Sequence, residues 1–134
     1  MTMRGIPVVT AIVLILVFGC ADREAKIARS KIQLIEQVDQ YHDSFFWHDY
    51  NRASLFVAPE MRSDFLDFSK DLRRGFTLEE FTIKEVQMSP TGERAAVVVE
   101  RSCATAPSVT LQSQELTQEW VLRDGAWYLA GPPY

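Results

Sequence analysis

The sequence predicts an α+β domain in which helices come first and a four-stranded antiparallel sheet follows. Three observations carry this prediction. Between Ala21 and about Asp49, apolar residues recur at helical steps, and no glycine or proline interrupts them. After Gly75 the apolar period changes to two, the repeat of a half-buried strand. Near the end, Asp124-Gly125 separates two aromatic segments in the manner of a two-residue hairpin turn.

The first helix places Ile27, Leu34, Val38, Tyr41 and Phe45 on one stripe, with Glu24, Lys31, Glu36, Asp39 and Asp43 turned away from it. A second, short helix is expected from Tyr50 to Val57, after which Ala58-Pro59-Glu60 resets the chain. Proline suits the first position of a helix because its missing N–H would have no partner there, and Glu60 meets the positive end of the dipole. The third helix carries Met61, Phe65, Phe68 and Leu72 on one face. It closes on Arg73 and Arg74, cations at the negative end, and then on Gly75, which is free to turn left-handed.

Phe76 to Met88 reads as the first strand, Ser89-Pro-Thr-Gly92 as a turn, and Glu93 to Ala104 as a second strand centred on Val97, Val98 and Val99. A loop at Thr105 to Ser108 leads into a third strand from Val109 to Arg123. With a two-residue turn at Asp124-Gly125, Leu122 faces Trp127 and Trp120 faces Leu129 on one side of the hairpin; Val121 and Tyr128 fall on the other. Pro132-Pro133 cannot continue a ladder of hydrogen bonds, so the last strand is expected to end about Gly131.

The chain opens MTMRGIPVVTAIVLILVFGC: an early arginine, an apolar run from Ile6 to Phe18, and a small residue before Cys20. That is a signal-peptide pattern. A run of roughly 13 residues spans about 20 Å as a helix, short of the roughly 30 Å hydrocarbon core of a bilayer. Val17-Phe18-Gly19-Cys20 resembles the lipobox of bacterial lipoproteins. The resemblance implies a signal peptide over residues 1–19, a Cys20 that carries a diacylglyceryl thioether and an acylated amine (fatty acyl chains such as palmitate), and a partner in the lipid bilayer. Ala21, rather than aspartate, resembles the default signal for the outer membrane. The expected site is therefore the periplasmic side of the cell envelope, lipid-anchored. Residues 20–26 are then the lipidated cysteine and its tether, and 27–134 a single domain.

With the signal removed, about 115 residues remain, enough for one domain that buries its own core but not for two. Lysine and arginine total 14 against 18 acids, a net charge of −4, which argues against nucleic acid and against a polybasic membrane-binding face. If Cys20 is acylated, Cys103 is the sole thiol and no intramolecular disulfide forms. Cys103 lies in a strand pattern with no activating base or cation beside it, so it reads as a small buried hydrophobe.

Three helices followed by four strands, ending in EWVLRDGAWYL, resemble the nuclear transport factor 2-like fold, also called cystatin-like α+β. In that family a strongly curved sheet wraps a long helix into a cone, and the final hairpin often carries a tryptophan, a short turn and an aromatic strand, as Trp120, Asp124-Gly125 and Trp127-Tyr128 do here. The resemblance implies a concave pocket, which members use for isomerisation, dehydration, cyclisation, small-ligand binding or nothing chemical. Fold alone does not select among these.

One stretch concentrates side chains with chemistry: Tyr41 to Tyr50, YHDSFFWHDY, which holds both histidines. His42 and His48 are six residues apart, which leaves them about 120° apart around a helix and roughly 9 Å along it, so they do not chelate as a pair. Asp39 with His42 has chelating spacing but makes an incomplete site, so no metal and no cofactor are expected. Ser44 and His48 have no nucleophile elbow or oxyanion loop beside them. Acid–base work in a cone would draw on Tyr41, Asp49, Tyr50, Glu100 or Glu115. The simpler account makes the aromatics core and helix-junction packing, with Trp47 marking the helix end or packing under the second helix. The expected function is thus a lipid-anchored, non-catalytic domain that binds a small apolar ligand or another envelope protein, with Tyr41, His42, Asp49 and Tyr50 as candidate pocket residues. The alternative is a small isomerase, dehydratase or cyclase.

Overall fold

The computed structural model describes the backbone from Ile6 to Tyr134, the exposure of Gly19 and the side chains of residues 21–134. The side chains of residues 1–18 and of Cys20, on which the signal-peptide and lipobox readings rest, lie outside the described residues. Helix α1 runs from Ile6 to Phe46, starting before the expected Ala21 and continuing through the expected tether. Among the described residues no helix is long and apolar enough to cross a membrane. Helix α2 covers Tyr50–Ser54; a 3-10 turn at Pro59–Met61 leads into α3, Arg62–Leu72. Strands β1 (Phe76–Met88), β2 (Arg94–Thr105), β3 (Gln112–Arg123) and β4 (Ala126–Leu129) form one antiparallel sheet in the order β1-β2-β3-β4.

The predicted stripe is the core of α1. Leu34, Val38, Tyr41 and Phe45 are fully buried, and Ile27 packs at the margin against the β1–β2 turn, where a Cβ on Gly92 would meet its side chain at 3.0 Å. The helix stops at Phe46 because His48 takes a left-handed conformation (φ 53°). Its N–H bonds Phe45 O at 3.1 Å, and Asp49 N–H reaches back to Ser44 O at 2.9 Å, the paired closure of a Schellman motif. Histidine stands where glycine is usual, so the expected end near Asp49 was three residues late. Trp47 does not pack under α2: it is 75 % exposed.

The sheet's inner face is set by two irregularities in β1. Its apolar residues Phe76, Leu78, Phe81, Ile83, Val86 and Met88 alternate steps of two and three, and the register with β2 shifts between Leu78 and Glu80 and again between Ile83 and Glu85. Each bulge inserts one residue, so a step of three keeps the next apolar side chain on the inner face; it also bends the strand. Opposite these residues stand Ala95, Val97, Val99, Arg101 and Cys103 of β2, paired in turn with Trp120, Gln118, Leu116, Gln114 and Gln112 of β3.

The final hairpin has the predicted register, Trp120 with Leu129 and Leu122 with Trp127, across a turn in which Asp124 and Gly125 both have positive φ (51° and 80°). It is fastened to α1: Trp127 donates its ring N–H to Ser30 O at 3.0 Å and its backbone N–H to Gln37 Oε1 at 2.8 Å. The edge of β4 is covered by the chain after α2, through Ala58 N–H to Leu129 O and Leu129 N–H to Phe56 O at 2.8 and 2.7 Å, so no bare edge is offered there. Strand β3 begins at Gln112 rather than Val109. The preceding loop is held by its own bonds, Ser108 N–H to Thr105 O and Thr110 N–H to Ser108 Oγ, both 3.1 Å, which compete with the ladder.

Candidate functional site

Helix α1 crosses the sheet from the β1–β2 turn, where Ile27 meets Gly92, to the start of β1, where Phe45 lies 6.5 Å from Phe76. Between α3, the start of β1, the end of β2 and the start of β3 a cleft of about 950 Å³ stays open. Its apolar walls come from Phe68 and Leu72 of α3, Phe76 of β1 and Leu116 of β3. Arg101 supplies a cation at its floor, and Asp64, Asp67 and Asp71 lie along its α3 rim. Asp67 and Asp71 are paired on the surface with Lys70 and Arg74 at 3.0 and 3.7 Å.

Arg101 is the residue that sequence reasoning missed. It is 3 % exposed, and among the described residues no carboxylate side chain pairs with it. One Nη donates to the main-chain oxygen of Tyr134, the guanidinium lies 5.6 Å from the centre of the Phe45 ring, and Nε has no partner. Burial pulls its pKa down, opposed mainly by Tyr41. The signal was available: Arg101 falls in phase with Ala95, Val97 and Val99, so the period of two alone turns a charged side chain inward. A buried cation that keeps an unfilled donor and lines a cleft is a binding-site candidate.

The sequence-predicted candidates lie elsewhere, and none of Tyr41, His42, Asp49 and Tyr50 lines the cleft. Tyr41 is fully buried behind it, edge-on to Trp120 at 5.7 Å and to Phe45 at 5.0 Å, with no partner for its hydroxyl. Burial raises its pKa well above the usual phenol range, with Arg101 acting the other way. His42 is also fully buried and stacks on Phe81 at 4.6 Å. Its Nδ1–H donates to Val38 O at 2.9 Å, which leaves Nε2 unprotonated and without a partner. Burial, and secondarily Arg101, press its pKa down to about 3, against the raising effect of the Val38 bond.

Asp49 is exposed and serves as the N-cap of α2, accepting from Arg52 N–H at 3.0 Å. Tyr50 is buried against Phe45 at 5.4 Å, its hydroxyl 3.4 Å from His48 Nδ1. Glu100 and Glu115 sit opposite each other on the outer face, Glu100 paired with Lys84 at 2.9 Å. Ser44 bonds its own helix at Gln40 O. Cys103 is half-buried and does line the cleft, its thiol 3.7 Å from Gln112 O. Among the described residues no three His, Cys, Asp or Glu side chains converge as metal ligands would.

Arg101→Met tests whether the buried charge stabilises the fold. Removing an uncompensated buried guanidinium relieves a desolvation penalty of several kcal/mol, while one charge-assisted hydrogen bond of about 1.5–3 kcal/mol is lost. The variant is expected to be more stable than wild type by roughly 1 kcal/mol in urea titration. A destabilisation of similar size would make Arg101 a structural residue.

No family model and no curated protein sequence matches the chain. Solved structures do resemble it. A protein with a cystatin-like fold from Nostoc punctiforme is 14% identical with a TM-score of 0.52, over 75% of this chain and 86% of that one. A ketosteroid isomerase-like protein from Erwinia carotovora atroseptica is 14% identical with a TM-score of 0.56, over 75% and 90%. A candidate polyketide cyclase from Xanthomonas campestris is 16% identical with a TM-score of 0.50, over 73% and 87%. At such identity the likeness reaches the fold and not the chemistry. Helices packed into a curved four-stranded antiparallel sheet, together with these neighbours, give the chain the cystatin-like, or nuclear transport factor 2-like, α+β cone.

Proposed function

We propose that this is an envelope lipoprotein, anchored through acylated Cys20, whose cone binds a small ligand without transforming it. The observation that carries the binding reading is the cleft of about 950 Å³ with Arg101 at its floor. That volume falls within the range of small-molecule sites. Against catalysis weigh the positions of the acid–base candidates: Tyr41 and His42 are sealed in the core, and Asp49, Glu100 and Glu115 stand outside the cleft. The folded full chain is expected to enhance the fluorescence of an anilinonaphthalene dye, and Leu116→Trp, which fills the cleft, to abolish the enhancement. A dye response untouched by that substitution would place binding elsewhere.

The anchor reading rests on the lipobox and carries an orientation. Arg23, three residues past Cys20, bonds Pro90 O at 2.8 Å in the β1–β2 turn. Anchoring at Cys20 therefore holds the turn end of the sheet to the bilayer, and the cleft opens at the opposite end, about 30 Å away along α1. Fatty-acid-analogue labelling should mark the wild type and not Cys20→Ser. In vesicles carrying brominated lipids, exposed Trp47 at the far end of α1 should escape quenching yet respond to soluble acrylamide. Quenching of Trp47 by the lipids would overturn the orientation.

The competing reading is a small isomerase, dehydratase or cyclase. Its one supporting contact in the cleft is the Tyr134 hydroxyl on Asp64, a carboxylate–phenol pair, alongside the isomerase-like and cyclase-like neighbours. Turnover of a β,γ-unsaturated ketone that vanished in Asp64→Asn would favour it.

A further inference from the structure

One wall of the cleft is supplied by the segment that follows β4. After β4 the segment Pro132-Pro133-Tyr134 folds back so that Tyr134, 6 % exposed, enters between α3 and the sheet. Its ring lies 5.2 Å from Phe65, nearly edge-on at 80°, and 5.3 Å from Phe68. The phenol donates to the carboxylate of Asp64, and the main-chain oxygen accepts from Arg101 Nη. Gln118 secures the segment by donating Nε2–H to Pro133 O at 3.2 Å. Three features of one amino acid are thus read separately: an aromatic ring, a hydroxyl at one end and an oxygen acceptor at the other.

The occupation is incomplete. Arg101 Nε is buried with no partner. A guanidinium presents donors as a planar fork, and a carboxylate whose two oxygens cover Nε and Nη together forms the stronger, bidentate pair. The floor therefore has capacity that the Tyr134 main-chain oxygen does not use.

Resting on the ligand-binding reading above, we propose that Tyr134 is a built-in stand-in for the ligand, and that the cone takes a small phenolic carboxylate: ring between Phe65 and Phe68, hydroxyl on Asp64, carboxylate on Arg101. Ligand and Tyr134 compete for one place, so the segment that follows β4 is displaced when the site fills. A wholly apolar ligand would leave the Arg101 charge buried and unanswered, and is disfavoured on that ground.

The probe is 3-(4-hydroxyphenyl)propionate, which keeps the tyrosine skeleton from phenol to main-chain carbon, carries a carboxylate where Tyr134 presents its main-chain oxygen, and lacks the amine. Calorimetric titration of the full chain in detergent should give weak binding to wild type and at least tenfold tighter binding to Tyr134→Ala, where the competitor is gone. The same compound should raise the melting temperature of Tyr134→Ala and leave that of wild type nearly unchanged. Analogues lacking the hydroxyl or the carboxylate should each bind Tyr134→Ala roughly tenfold or more weakly, the fold-change of one charge-assisted hydrogen bond. Should Tyr134→Ala not fold, Tyr134→Phe keeps the ring, loses the Asp64 contact, and should still bind the probe more tightly than wild type. Equal affinity in wild type and Tyr134→Phe, or no heat with either Tyr134 variant, would overturn the proposal. If the dye response in the cleft persists while the probe fails, only this inference falls; if the dye also fails, the binding reading itself falls.

Discussion

Replacing Trp127 by alanine is expected to cost about 3–5 kcal/mol, the range for large aromatics removed from a core. The side chain is fully buried, and its ring N–H bonds the backbone of α1 at Ser30 O, so the substitution opens a cavity and leaves that carbonyl short of a partner at the seam between hairpin and helix. A domain of this size has only about 5–15 kcal/mol of stability, so the loss is a large fraction of the total. Urea titration reads it as a lower midpoint with unchanged slope. Trp47→Ala supplies the contrast: that ring is 75 % exposed, and its removal should move stability by no more than about 0.5 kcal/mol. Equal shifts in the two variants would mean that the hairpin is not what holds the sheet to α1.

Acid should destabilise the fold through His42. The folded imidazole stays neutral to about pH 3, whereas in the unfolded chain it takes a proton near 6.5. Between those values the unfolded state binds the extra proton, so falling pH favours unfolding. The contribution is fully present above about pH 6.5 and declines below it, by roughly 3 kcal/mol at pH 4. Burial is the largest cause of that depression and Arg101, which opposes a second cation, the next, while the bond to Val38 O works the other way. His42→Phe keeps the stack on Phe81 and removes the titration, so its stability should vary less between pH 7 and pH 4 than that of wild type. An unchanged pH dependence would show that His42 is not the group that acid attacks.

The stretch YHDSFFWHDY illustrates what could be read and what could not. Tyr41 and Phe45 followed from the helical stripe, and both are core. The roles of His48 and Asp49 did not follow, because one ends α1 in a left-handed turn and the other caps α2. Both are backbone geometries in which histidine is uncommon and aspartate is one choice among several. The exposed Trp47 follows from that same stop, since the ring sits just past the last helical turn. In β1 the steps of three among apolar residues carried the bulges in plain view, because side-chain alternation forces an extra residue wherever the inner face must be kept.

Sequence alone determined the order of elements, the α1 core stripe and the hairpin register around Asp124-Gly125. These depend on periodicity and turn chemistry, which act over a few residues and are written locally. The tertiary structure decided the site. Arg101 acquired its meaning only when β2 met the cleft, and Asp64, Phe65, Phe68 and Tyr134, up to 70 positions apart, became one cluster only through the packing of α3 against the segment that follows β4. Burial, and the lack of a carboxylate side chain beside Arg101 among the described residues, are properties of a neighbourhood assembled from distant segments, and no window of the sequence contains them.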